Sequence, residues 1–125
     1  MEGQNVLKVG NSFMTSTLSG PDKRRFKRCA LEMLVGVIRH GQFGFEYSQT
    51  VSEGGMLLGT FNKFEPGEIV EISFFMPPTG EVVLVRAEVA YSLEPEPHKY
   101  FAGMRFLDAA PHATTSIREY VENHS

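Results

Sequence analysis

A chain of 125 residues, 42% of them apolar, has room for one globular domain with a single core and is too hydrophobic to be disordered. A formal net charge of -3 and a sequence pI of about 5.8 argue against a general DNA-binding protein, which is usually basic over its whole domain. One cysteine, Cys29, excludes an internal disulfide, and four scattered histidines (His40, His98, His112, His124) offer no metal-ligand spacing. Cys29 is expected to be a small buried hydrophobe. No apolar run approaches the ~18 residues of a membrane span. Met1-Glu2-Gly3-Gln4-Asn5 lacks a basic region followed by an apolar one, so no signal peptide is expected and the protein is expected to be cytoplasmic.

Residues 1–21 are polar and contain Asn11-Ser12, Thr15-Ser16-Thr17 and Ser19-Gly20-Pro21, which predicts a mobile arm. Val6-Leu7-Lys8-Val9 has the makings of a short strand within it. Next comes Lys23-Arg24-Arg25-Phe26-Lys27-Arg28, where five of six residues are positive on a chain that is acidic as a whole. Such a concentration reads as an anion site for a phosphate, nucleotide, acidic lipid or acidic protein, or as a solvated basic run ahead of a domain. Arginine is the sharper clue, because its planar guanidinium pairs bidentately with phosphate or with a guanine edge and stacks on bases.

The pattern then turns to strand. Leu31, Met33, Val35 and Val37 alternate with Glu32, Leu34 and Gly36, and after a turn at Gly41-Gln42, Phe43, Phe45 and Tyr47 alternate with Gly44, Glu46 and Ser48. The second strand runs into a turn predicted over Thr50-Val51-Ser52-Glu53-Gly54-Gly55, and Met56 to Thr60 form a third strand. Glu65-Pro66-Gly67-Glu68 carries Pro and Gly where a type II turn needs them. A fourth strand follows with Val70, Ile72, Phe74 and Met76 inward, then a turn over Pro77 to Gly80. A fifth has Val83, Val85, Ala87, Val89 and Tyr91 inward, with a loop over Glu94 to His98. The sixth puts Ala102, Met104 and Phe106 on one face. The period changes at Ile117, Tyr120 and Val121, with N-cap candidates at Thr114 to Ser116, which predicts one C-terminal helix. Six short strands without intervening helices predict an all-β fold, a small six-stranded antiparallel barrel.

In this order the residues resemble the PilZ domain, a bacterial sensor of cyclic di-GMP. An RxxxR motif precedes the first strand as Arg24-Arg25-Phe26-Lys27-Arg28. A [D/N]xSxxG motif ends the second as Thr50-Val51-Ser52-Glu53-Gly54-Gly55, where Ser52 and Gly55 match and Thr50 departs. Gly103 to Phe106 supply a "GMRF" segment in the last strand. The likeness runs from about residue 22 to the C-terminus. It implies that Arg24 and Arg28, with Arg25 beside them, grip the phosphates and guanine faces of cyclic di-GMP. It also implies that Thr50, Ser52, Gly54 and Gly55 line the other side of the ligand, and that binding orders the arginine segment against the barrel and relays the signal to a protein partner. The motif's Asp or Asn offers hydrogen bonds that Thr50, with a single hydroxyl, cannot all match.

Two functions of different class follow. One is a cyclic di-GMP sensor acting in motility, pili or exopolysaccharide control. The other is a nucleotide-independent adaptor acting through its barrel surface, for which Ile69, Phe75, Val82, Leu84 and Phe101 are expected to face outward. Catalysis has little support. Glu68 and Glu71 point to opposite faces of a strand, Ser52 has no histidine base beside it in sequence, and Gly54-Gly55 is followed by no lysine and helix start. No cofactor is expected besides the dinucleotide ligand. Single-stranded nucleic acid also binds small barrels, but the acidic remainder of the chain argues against it.

Overall fold

The computed structural model describes residues 26–124. The predicted arm over residues 1–21, the short strand at Val6–Val9, and Arg24 and Arg25 lie outside the described residues. Alternation of β-branched and aromatic residues with polar ones builds β2 (Leu34–Arg39), β3 (Gln42–Ser52), β4 (Gly55–Thr60), β5 (Ile69–Met76), β6 (Glu81–Glu96) and β7 (Lys99–Phe106). A three-residue β1 (Arg28–Ala30) precedes them, and one helix, α1 (Pro111–His124), follows. Every pairing is antiparallel, in the order β3-β2-β5-β6-β7-β4, and β4 returns to β3. Six strands therefore close a barrel, and β1 extends the β2 edge of β3.

Closure gives the barrel a single interior. The row Cys29, Val51, Met56, Met104 and Val89 runs straight across five paired strands and is buried throughout. Val70, Ile72, Phe74 and Met76 face inward as their alternation predicts, as do Val83, Val85, Ala87 and Val89. Burial pushes the Cys29 thiol up, in keeping with a core residue rather than a reactive one. Ala113, Ile117 and Val121 pack α1 onto this core, beside β1 and β3. No helix of the described residues is long and apolar enough to cross a membrane.

Several boundaries differ from the sequence expectation. The first strand is interrupted: Leu31, Glu32 and Met33 oppose only Ser48 and Gln49, a bulge between the Ala30–Thr50 and Leu34–Tyr47 pairs. Buried Ser48 bridges it, accepting from Met33 N at 3.1 Å and donating to the Leu31 carbonyl. The predicted turn over Thr50 to Gly55 contracts to Glu53-Gly54, so Thr50, Val51 and Ser52 are strand residues and Gly55 opens β4. The turn before β3 is His40-Gly41, both at positive φ. β6 continues through Glu94 to Glu96, leaving only Pro97-His98 as a turn, because β6 and β7 keep pairing as far as Glu96–Lys99. The helix begins at Pro111, ahead of Thr114, since proline is preset for the first helical position and needs no N–H partner there. His112 is therefore helical, with its ring 3.2 Å from Glu81.

Candidate functional site: the depression beside the β3–β4 hairpin

On the outside of the barrel, paired residues share a face. One outer row reads Arg28, Ser52, Gly55, Arg105 and Glu88; the next reads Ala30, Thr50, Leu57, Gly103 and Tyr91. These rows, Ala30 and Glu88 apart, line a depression of about 390 Å³, together with Phe26 and Gly54. The fold thus brings together five of the seven residues expected from the sequence: Arg28, Thr50, Ser52, Gly54 and Gly55.

Each motif residue also has a local structural role. Ser52 is buried, and its hydroxyl accepts from Gly54 N at 3.2 Å and donates to the Gly55 carbonyl at 3.4 Å, which shapes the two-residue turn. Gly54 lets the Phe26 ring sit where a side chain would be, since a Cβ there would lie 2.6 Å from the ring. Gly55 is dictated by the sheet: a Cβ would stand 2.0 Å from the Met104 carbonyl oxygen. Phe106 N donates to the Gly54 carbonyl at 2.9 Å and ties the end of β7 to the same turn. Thr50 is half-buried on β3 opposite Leu57.

Electrostatics tie the turn to α1. Glu53, in the turn, receives a two-point contact from Arg118 of α1, Nε to Oε1 at 3.1 Å and Nη2 to Oε2 at 2.8 Å. The Arg118 hydrogen bond holds the Glu53 carboxyl below the usual glutamate value and raises the guanidinium in turn. Arg39, Lys63, Arg86, Lys99 and Arg105 likewise face Glu68, Glu65, Asp108, Glu96 and Glu88. The described Lys and Arg residues from Arg39 onward thus each have a carboxylate within 4.0 Å. Arg28, the last residue of the basic stretch in the sequence, borders the depression. No cluster of three metal-ligating side chains occurs among the described residues.

Tyr91, Gly103, Arg105 and Phe26 border the depression and were not read as site residues. Tyr91 was expected inside, continuing the alternation of Val83 to Val89. A register shift between Val89 and Tyr91 turns it outward instead, and it is 38% exposed. Its pairing with Gly103 becomes visible only when the β6–β7 register is known.

A closed six-stranded antiparallel barrel, with an outer depression at the β3–β4 hairpin that Arg28 borders, defines the class of domain. The sequence model of the PilZ domain matches residues 22–123, and the chain belongs to that family. Among solved structures it is similar to the Bacillus subtilis inhibitor of motility MotI/DgrA, with a TM-score of 0.72 and 16% identity over 81% of this chain and 50% of that one. It is also similar to the PilZ domain with c-di-GMP of YcgR from Escherichia coli, with a TM-score of 0.62 and 14% identity over 82% and 91% of the two chains. The K. pneumonia MrkH–c-di-GMP complex matches with a TM-score of 0.61 and 16% identity over 81% and 51%. This chain therefore spans about half the length of MotI/DgrA and of MrkH. At these identities the likeness is one of fold. No curated protein matches the chain.

Proposed function

We propose that this chain is a non-enzymatic, cytoplasmic cyclic di-GMP sensor whose ligand sits in the depression beside the β3–β4 hairpin. Arg24, Arg25 and Arg28 contact phosphates and guanine faces, and Thr50, Ser52, Gly54 and Gly55 form the opposite wall. The observation that carries this reading is that Arg28, the last residue of the arginine motif, borders the depression and is register-paired with Ser52, which is in turn paired with Gly55. Two solved structures of similar fold, those of YcgR and MrkH, hold c-di-GMP. Charge-assisted contacts to phosphate offset the entropy of fixing the arginine segment, and the newly ordered surface is what a protein partner reads.

A second reading has its own observation: the motif residues already serve the fold. Ser52 is engaged by its own turn, Gly55 is required by β7, and Thr50 lacks the second acceptor of a carboxylate. In that reading the chain is an adaptor that acts through its apolar outer surface without the nucleotide. The missing charge-assisted bond at Thr50 weakens binding by about tenfold to a hundredfold and does not abolish it. Calorimetric titration of the full chain with cyclic di-GMP, against cyclic di-AMP and GTP, separates the two. Saturable binding of cyclic di-GMP alone, lost in Arg28→Ala, is expected. Absence of heat and of any thermal shift at high ligand concentration would leave the adaptor.

A further inference from the structure

We propose that Tyr91 is the base-stacking platform of this site, an assignment that rests on the sensor reading above. Tyr91 ends the outer row that begins with Ala30 and Thr50, and it is register-paired with Gly103. A Cβ built on Gly103 would meet Tyr91 Cε2, Cζ and Cδ2 at 2.3, 2.5 and 2.8 Å. Three ring carbons therefore lie over the Gly103 backbone, and the ring lies along the sheet surface instead of standing away from it. Only glycine permits this, because any larger residue at 103 would occupy the ring's place. Tyr91 nevertheless keeps 38% of its surface exposed, within the depression that Arg28, Thr50 and Arg105 also border.

A flat aromatic in a hollow beside guanidinium groups complements a purine nucleotide, with phosphate to arginine and base to ring. The ring recognises the π-face and not the base edge, so it raises affinity for purines in general, while discrimination of guanine is left to the arginines. The competing explanation is a purely structural one, in which Tyr91 covers an otherwise bare Gly103 backbone.

The two are separated by titrating the full chain and its variants with cyclic di-GMP, alongside thermal melts. Tyr91→Phe keeps the ring and is expected to keep wild-type affinity. Tyr91→Leu still covers Gly103 with apolar atoms but has no π-face, so its affinity is expected to fall about 10- to 100-fold with an unchanged melt. Gly103→Ala displaces the ring and is expected to lose a similar factor, with little further loss when combined with Tyr91→Leu. Tyr91→Trp introduces the chain's sole tryptophan, whose fluorescence should be quenched saturably at the calorimetric midpoint. A Tyr91→Leu protein that binds as tightly as the wild type would overturn the platform and leave the sensor reading standing. A wild type that binds no cyclic di-GMP overturns both.

Discussion

Across β3, β4, β7 and β6 the outer surface carries glycine at 55 and 103, with Ser52, Thr50, Arg28 and Arg105 around them. Across β3, β2, β5 and β6 it carries Phe43, Phe45, Leu34, Ile38, Phe75 and Leu84, with Phe45 58% and Leu84 71% exposed. Phe43 and Phe45 also meet edge to face, ring centroids 4.8 Å apart. The two faces share strands and enclose one core, so the interior does not distinguish them. Around Gly55 and Gly103 the outward side chains are small; around Phe43 and Phe45 they are large. Small residues leave a hollow with polar groups at its rim, the form of a ligand site. Large apolar ones leave a raised patch, the form of a protein contact.

The largest effect is expected within the glycine face itself. Gly55→Ala drives a Cβ into the backbone of Met104, where neither strand can yield, and should destabilise the fold by about 3 kcal/mol in urea melts. Gly54→Ala meets only the Phe26 ring, which can move, and should cost about 1 kcal/mol. Equal losses would mean that the barrel does not fix Gly55.

Thr50→Asp restores the second acceptor and is expected to raise cyclic di-GMP affinity by at least about tenfold, read by calorimetry. Unchanged affinity would place the ligand away from β3.

The turn is also coupled to α1, and pH reads that coupling. The Arg118 hydrogen bond lowers the Glu53 pKa below 4.5, so its contribution is complete above the unfolded value and is lost as pH falls through the folded one. The stability difference between wild type and Glu53→Gln should be constant near neutrality and shrink below about pH 4.5. A difference that persists in strong acid would show that the ion pair is not its source.

The smallest effect belongs to the other face. Phe45→Ser should change stability by no more than about 0.5 kcal/mol and leave nucleotide affinity unaltered, because its ring is solvent-facing and far along β3 from Thr50. Loss of nucleotide binding in Phe45→Ser would break the division of labour between the faces.

Much of the fold was legible in the sequence, and the reason lies in the core. Period-2 alternation reports burial, so Val70 to Met76 and Val83 to Val89 could be assigned directly, and the type II turn residues at Pro66-Gly67 fixed the start of β5. The misreadings fall where alternation breaks. The bulge opposite Ser48 splits the first strand, and the shift after Val89 sends Tyr91 outward. A bulge adds a residue without a composition signal, so every parity assignment beyond it inverts. The hairpin residues were recognised through the motif they form, yet their strand placement was not, since Ser-Glu-Gly-Gly looks like a longer turn than the two residues it contains. Tyr91 and Gly103 are 12 positions apart and meet only through register.

The most direct test of the two-face account is an amide chemical-shift titration of the full chain with cyclic di-GMP. The account predicts saturable shifts concentrated at Thr50 to Gly55 and Gly103 to Arg105, with Phe43 to Phe45 and Leu84 unmoved. Shifts centred on Phe43, Phe45 and Leu84, or none at saturating ligand, would contradict it.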